Sequence, residues 1–404
     1  MGRGKLILIG AAVLALAALG WRWAAAGGDA ASALSNAGAK YAQAGPGAGS
    51  SGNVEVPAGG GPFSAAGLQS RQQQLTLWQG RYQRAEELYA TYRDATRYPP
   101  ESHPIAEHPD QVRPFDPVVE ETAMRSATGE AIKGLRLRTT QERVFLSGAE
   151  TVKFTIEALD ENARVLPLTV TQASAQSRPD SSTLVRLIQT TVDFSDAGTG
   201  ADDLARDGKF SARLNPAQQG FAGYAGTIRL LAQVSANGEQ GVAHFDVIYS
   251  PEVPATWGTV RETLEAGSLN FYLQAKVLTA GRYVLSGRVD DANGVPFALL
   301  QYNDEVGVGL REFKLQLFGA LVRDKNPTFP LQLRDVDGFL LLADKFPDRA
   351  MMARRSGVVH VSARYALDRF SPAEWSSEER DRYLAEYARD AEQARSQLQG
   401  LQGQ

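Results

Sequence analysis

The chain has 404 residues, which is enough for two or three domains. Acidic residues outnumber basic ones, 46 to 42, and the formal net charge of −4 gives no reason to expect nucleic acid as a partner. Cysteine is absent, which excludes disulfides, a thiol nucleophile, thiolate metal sites and an acylated cysteine anchor.

The N-terminal segment, residues 1–26, has the pattern of a membrane helix. An uncharged apolar run, Leu6–Trp21, follows Arg3 and Lys5, and its continuation to residue 26 reaches the length of a hydrocarbon core of roughly 30 Å. The basic residues on the short side predict a single-pass inner-membrane protein with a cytoplasmic N-terminus and a periplasmic body. The alternative is a signal peptide cleaved at Ala24-Ala25-Ala26, followed by secretion.

Residues 27–63 are rich in Gly, Ala and Ser and contain few large apolar side chains. Such a segment cannot bury enough surface to offset its conformational entropy, so we expect a flexible linker. Gly47, Gly49 and Gly52 match the GxGxxG spacing, but no strand precedes them. We therefore predict no nucleotide site there.

Residues 64–98 predict an amphipathic helix with an aromatic seam. Large side chains recur at alternating steps of three and four residues, as in the a and d positions of a coiled coil. The seam either packs against the rest of the same chain or mediates self-association or binding to other envelope proteins. The candidate interaction residues are Trp78, Tyr82, Tyr89 and Tyr92.

Residues 99–118 contain six prolines and predict an extended linker. His103 and His108 lie in it, with acidic residues nearby. On an extended chain, a five-residue spacing does not point two imidazoles at one ion, so we expect a solvated spacer rather than a zinc site.

Residues 119–254 alternate apolar and polar side chains with a period of two and show no helical period. The dipeptide Asn237-Gly238 between two such runs is a hairpin signal. These features predict an antiparallel β-sandwich of immunoglobulin-like type. The predicted strands are Thr151–Leu159, Val165–Ala175, Ser182–Asp193, Phe210–Leu214, Gly226–Ser235 and Gly241–Tyr249.

Residues 255–370 repeat this pattern and predict a second sandwich in tandem with the first. A second turn signal, Asp290–Gly294, separates two of its strands. The predicted strands are Leu269–Lys276, Arg282–Val289, Val295–Tyr302, Glu312–Leu317 and Val358–Tyr365.

Residues 371–404 predict a C-terminal helix. Ser371 is the expected N-cap, with Pro372 at the first helical position. The helix has a second a/d seam, formed by Leu384, Tyr387, Ala391, Ala394 and Leu398. The fold class is thus mainly β, with helices on both sides of two sandwiches.

The sequence contains no catalytic signature. GxSxG, HExxH and P-loop motifs are all missing, so we predict a protein without catalysis and without an organic cofactor. His244 and His360 each lie between apolar residues of an alternating run, and we expect both to face outward from a strand.

One loop, Asp193–Phe210, combines acidic residues with three glycines. Carboxylate oxygens on a tightly turning backbone are ligands that suit Ca²⁺, although the spacing does not match an EF-hand. The same residue types also build long structural turns between strands. The candidate metal ligands are Asp193, Asp196, Asp202, Asp203 and Asp207.

This loop also carries a family resemblance. The order Asp196-Ala197-Gly198, Gly200-Ala201-Asp202 and Ala205–Phe210 resembles the Asp/Gly signature of bacterial extracellular modules called the choice-of-anchor X domain. Residues Ala280–Tyr283, Asp291–Gly294 and Phe318-Gly319 resemble the same modules. The resemblance implies an envelope or surface location and a largely unassigned function, and it implies no catalytic residues.

The sequence therefore predicts a membrane-anchored periplasmic binding or scaffolding protein. The alternative is a secreted or anchored accessory protein that binds or hydrolyses carbohydrate. Converging carboxylates in a cleft, or stacked exposed aromatics, would favour the alternative, whereas smooth β faces with an adhesive helix would favour the scaffold.

Overall fold

The computed structural model describes residues 65–178 and 187–403. The predicted membrane segment, the linker 27–63 and residues 182–186 of one predicted strand lie outside the described residues. Among the helices of the described residues, none is both long and apolar enough to cross a bilayer. The described chain divides into two units, one of residues 65–97 and 374–403 and one of residues 98–373.

The second unit is built mainly from strands, and each unit contributes helices. In chain order the elements are α1 (Ala65–Ala95), β1 (Ser102–Pro104), two 3-10 turns (Ile105–Glu107 and Pro109–Val112), β2 (Val118–Arg125), β3 (Ala131–Gln141), β4 (Phe145–Ser147), β5 (Val152–Leu159), β6 (Val165–Leu166), β7 (Leu168–Arg178), β8 (Gln189–Thr191), β9 (Phe210–Leu214), β10 (Gly226–Ala236), β11 (Glu239–Ser250), β12 (Ala255–Glu265), β13 (Ser268–Val277), β14 (Gly281–Asp290), β15 (Pro296–Val306), β16 (Gly309–Leu317), α2 (Gly319–Lys325), β17 (Gln332–Leu341), β18 (Arg349–Met351), β19 (Arg355–Val361), a 3-10 turn (Leu367–Arg369) and α3 (Glu378–Gln402).

The first unit consists of α1 and α3, which pack antiparallel. Arg71, near the start of α1, donates to the carbonyl of Leu401 at the end of α3 at 2.7 Å. Tyr92, near the end of α1, contacts Tyr383 in the first turns of α3 with ring centroids 5.8 Å apart. The predicted N-cap of α3 is wrong: Ser377, not Ser371, accepts from the backbone N–H of Arg380 at 3.1 Å. Three acidic residues in the first turn suit this helix start, because they face the positive end of the helix dipole.

The first β region of the second unit forms a ten-stranded sheet in the order β6-β5-β3-β2-β11-β10-β7-β8, with β9 paired to β5 and β4 to β11. Its pairings are antiparallel except β4–β11, which is parallel. The hairpin β10–β11 turns at Asn237 and Gly238, whose φ angles of 52° and 83° confirm the predicted turn chemistry. Alternate residues of β10 enter a core that also buries Phe154, Phe221 and Tyr249.

The second β region contributes a six-stranded and a three-stranded sheet to one shared core. The three-stranded sheet is β12-β13-β16, and the larger one has β14 between β15 and β17. Phe271 and Phe313 enter the core from the smaller sheet, and Tyr283 enters from the larger one. Helix α2 follows directly after β16 and begins at Gly319, where a Cβ would lie 2.1 Å from the carbonyl oxygen of Gly267.

The proline-rich segment does not stay extended as expected. Strand β1 pairs with β15, and two 3-10 turns follow it. The backbone N–H of Gln301 donates to the carbonyl of Glu101 at 2.9 Å, and Ser102 and Ile105 are buried. A short edge strand tolerates proline because one side of it has no ladder to complete, which is how Pro104 fits.

Candidate functional site

The four predicted interaction residues lie on one face of α1, and that face meets α3. Along α1, partial burial recurs at alternating steps of four and three residues from Arg71 to Thr96, as the a/d pattern predicts. Tyr92 packs edge-on against both Tyr383 and Tyr387, at centroid distances of 5.8 and 5.3 Å. Of the two interpretations of the seam, packing within the chain is therefore realised.

An acidic residue joins the helices where the chain enters α3. Glu374 accepts hydrogen bonds from Arg93 at 2.8 Å, Arg97 at 3.3 Å and Arg380 at 2.7 Å. Hydrogen bonds from Arg93 and Arg380 hold the pKa of Glu374 below its ordinary value. Arg380 is buried, its side chain only 6% exposed, and it also donates to the hydroxyl of Thr96 at 3.0 Å. These bonds set the register of the helix pair.

The seam is nevertheless only half covered. Trp78, Tyr82, Tyr89 and Tyr92 are all partly exposed, because a single partner helix can cover only one side of a seam. A groove runs between Tyr82 and Tyr89 on α1 and Ala391 and Arg395 on α3. On a neighbouring face of α1, Leu77 and Leu88 are 49% and 57% exposed. The helix pair thus presents apolar and aromatic surface of the kind that marks interaction sites.

The Asp/Gly loop between β8 and β9 brings together three of the five predicted metal ligands. Carboxylate oxygens of Asp196, Asp202 and Asp207 lie within 4.8 Å of one another. The other two lie apart from this group: Asp193 is exposed, and Asp203 pairs with Lys153 at 2.6 Å. The Lys153 ammonium holds the pKa of Asp203 below its ordinary value.

The clustered carboxylates also close the loop on itself. Asp196 accepts from the backbone N–H groups of Asp207 and Gly208, at 3.1 and 3.2 Å. Asp202, which is 6% exposed, accepts from the backbone N–H of Gly198 at 2.6 Å. These bonds are the Asx-type contacts of a structural loop, and the same oxygens are of a type that binds Ca²⁺.

The four histidines differ in their surroundings. His244 is exposed on β11, as expected. His360 does not face outward as expected: it is partly buried, lies 3.1 Å from Glu262 and packs edge-on against the buried Phe271. His103 and His108 lie with their ring centroids 5.4 Å apart and their ligand atoms within 4.8 Å, so the expectation that the two rings are not aimed at one point is wrong. The 3-10 turns after Pro104 fold the second ring back towards the first, and burial lowers the pKa of His103.

Two groups of buried or partly buried charges in the second unit have no signature in the sequence. Arg288 contacts Asp290 at 2.8 Å and Asp335 at 3.1 Å, and Asp290 is only 2% exposed. Asp337 lies 3.9 Å from Arg354, and burial raises the pKa of Asp337 to about 6. Asp335 and Asp337 lie on β17, whereas Arg288 lies on β14 and Arg354 between β18 and β19, so only the folded sheet brings these pairs together.

Comparison with known proteins finds no family model that matches, and no curated protein that matches. Among solved structures, a DUF4785 family protein from Legionella pneumophila aligns at 14% identity and a TM-score of 0.38, covering 56% of this chain and 57% of that chain. A chimeric titin Z1Z2 carrying a decorin peptide aligns at 11% identity and a TM-score of 0.19, covering 58% and 93% of the two chains. Domains 4–9 of surface layer protein SbsC align at 11% identity and a TM-score of 0.16, covering 50% of this chain and 39% of that chain. The chain therefore spans little more than half of the first of these proteins.

Proposed function

We propose that this protein is a membrane-anchored, non-catalytic scaffold of the cell envelope, with its described residues in the periplasm. The single observation that carries the proposal is the half-covered aromatic seam of the α1–α3 pair. A linker between membrane and helix would let several chains meet above one membrane patch, which raises their effective concentration.

We also infer that the second unit consists of two tandem immunoglobulin-like sandwiches, one around each core. The separate cores support this inference, because side chains of the six-stranded and three-stranded sheets meet in one of them, and opposite ends of the ten-stranded sheet meet in the other. The resemblance of the loop Asp193–Phe210 to choice-of-anchor X modules supports an envelope location.

The assembly step is the pairing of two helix pairs into a four-helix bundle. Each α1–α3 pair leaves Leu77, Leu88 and one side of the aromatic seam open to solvent. A second copy would cover both faces, because four-helix bundles bury the a/d positions of every helix around one core.

The experiment is light scattering on the fragment Ser64–Gln404 over a range of concentrations. We expect an oligomer that Trp78→Ala with Tyr89→Ala converts into a folded monomer. Each truncation should destabilise the packed helices by about 2 kcal/mol. This is less than the value for a fully buried aromatic, because both side chains are partly exposed. Phe346→Ala, which removes an exposed aromatic from the second unit, is the matched control and should leave the oligomer intact.

A wild-type fragment that stays monomeric at high concentration would contradict the scaffold proposal. In that case the double variant would only melt at a lower temperature, and the seam would be ordinary packing within the chain.

A further inference from the structure

A cluster of two imidazoles and one carboxylate lies where the chain enters the second unit. His103 is the middle residue of β1, Glu107 ends the first 3-10 turn, and His108 follows it. One ligand atom from each side chain lies within 4.8 Å of those of the other two. Nδ1 of His103 lies 3.8 Å from a carboxylate oxygen of Glu107.

The backbone under this cluster is held in place. His103 is opposite Leu299 in the β1–β15 ladder. Its neighbour Ser102 is fully buried and accepts from the backbone N–H of Phe318 at 3.1 Å. Ile105, between the two histidines, is buried as well. The donors therefore lie on a supported frame, which is the property that a preorganised metal site requires.

The hydrogen bond of His103 identifies which of its ring nitrogens carries the proton. Nε2 lies 2.6 Å from the carbonyl oxygen of Pro100, and a carbonyl can only accept, so Nε2 carries the proton. The lone pair is then on Nδ1, the nitrogen that faces Glu107. Histidines that bind metals usually donate their other ring N–H to a carbonyl or carboxylate in this way.

We propose that His103, Glu107 and His108 bind one zinc-type transition-metal dication. Bond lengths of about 2.0–2.2 Å in a tetrahedral site place neighbouring ligand atoms roughly 3.3–3.6 Å apart. The 3.8 Å approach is close to this range, and the side chain of Glu107 is 59% exposed and able to move inward. Two imidazoles and a carboxylate suit Zn²⁺, and three protein ligands leave a fourth position for water.

Bound metal would fasten the 3-10 turn to the edge of the six-stranded sheet. The full-length, metal-free protein is the material for the test, with Zn²⁺ titrated against a chromophoric chelator and Co²⁺ used as a spectroscopic probe. We expect one ion per chain, the intense visible bands of four-coordinate Co²⁺, and a melting temperature that rises by a few degrees with zinc in large excess over Kd.

His108→Ala should weaken binding by about 100-fold or more, because loss of a ligand costs at least as much as loss of a residue that orients one. Glu107→Gln is a second variant that leaves both imidazoles and the exposed turn unchanged in shape. His244→Ala is the matched control, since this histidine is exposed on β11 and far along the chain from the cluster. It should bind zinc as the wild type does.

The proposal is overturned if the wild type binds Zn²⁺ no more tightly than folded His108→Ala and Glu107→Gln. It is equally overturned if His244→Ala loses as much affinity, or if Co²⁺ shows only the weak spectrum of a six-coordinate ion.

Discussion

At the scale of single residues, the charge of Asp337 depends on the fold. It lies on β17, 3.9 Å from Arg354, and its carboxylate accepts from the backbone N–H of Gly338 at 2.7 Å. Burial raises its pKa to about 6, and the Arg354 charge opposes that rise. The unfolded chain has no such environment, so unfolding releases a proton from this residue at intermediate pH.

The prediction concerns stability against pH. Because the pKa of Asp337 is about 6 in the folded state and 3.8 ordinarily, the unfolded carboxyl loses its proton first as the pH rises. Its contribution to the free energy of unfolding is therefore complete below about pH 4 and lost as the pH rises through about 6, a change on the order of 2 kcal/mol. The free energy of unfolding, measured with denaturant at pH 4 and at pH 7, should therefore fall less, or rise more, between these pH values for Asp337→Asn than for the wild type.

Asp344→Asn is the control, because this aspartate is exposed on the loop after β17. Its pH dependence should equal that of the wild type. If the free energy of unfolding changes equally between pH 4 and pH 7 for Asp337→Asn and for the wild type, the assignment of the titration to Asp337 is contradicted.

Residue-level features could be predicted where their cause is local. Asn237 and Gly238 have positive φ because a two-residue hairpin demands it, and the dipeptide alone indicates that turn. Glu374, in contrast, pairs with Arg93, which lies 281 residues away in the sequence. No local pattern encodes such a partner, so the ion clusters had to be found in the folded chain.

At the scale of elements, the loop between β8 and β9 has two interpretations that a calcium titration separates. If Asp196, Asp202 and Asp207 bind Ca²⁺, calcium at about 100 times Kd stabilises the native state by about 2.7 kcal/mol. Asp202→Asn and Asp207→Asn should each abolish that gain in thermal unfolding, whereas Asp203→Asn should keep it because Asp203 pairs with Lys153 instead. Melting curves that coincide with calcium and with chelator would leave a purely structural loop.

Strands with a clean alternation could be predicted closely, and interrupted ones could not. β5 and β9 match their predicted bounds to within one residue, because one face of β5 is fully buried and on β9 the buried Ala212 and Leu214 share a face with the partly buried Phe210. β17 contains Asp335 at a φ of 50°, where the register shifts, and this breaks the period of two. β12 is an edge strand of mixed exposure, so its residues do not alternate clearly.

The start of α3 could not be predicted from its local sequence either. Ser371-Pro372-Ala373-Glu374 has the composition of a helix start, but the backbone N–H of Ser371 donates to the carbonyl of Gly267 at 3.0 Å. A contact that is distant in sequence therefore delays the helix until Ser377.

At the scale of the whole molecule, the proposed location makes a topological prediction. Arg3 and Lys5 precede the apolar run, so the N-terminus should stay in the cytoplasm. A reporter fused after Gln404 should be active only if it requires the periplasm, and the protein should remain with membranes after carbonate washing. Arg3→Glu with Lys5→Glu should weaken this orientation. Release of a soluble chain that begins at Gly27 would establish the cleaved signal peptide instead.

The existence of two helical seams could be predicted from their periods, but their mutual pairing could not. A seam of large side chains at a/d spacing indicates that a helix has a partner without indicating which one. The choice between α3 and another chain depends on how the intervening β unit folds.

The pairing of α1 with α3 has a consequence for the order of synthesis. Arg380, which bonds to Thr96, follows it by 284 residues. At about 5–20 residues per second, a ribosome needs roughly 15–60 s to make that stretch. During this interval the tyrosines and tryptophan of α1 have been made and their partner helix has not. The nascent chain is then a target for holding chaperones, and neighbouring nascent chains on one polysome can meet through the same unpaired aromatic seam.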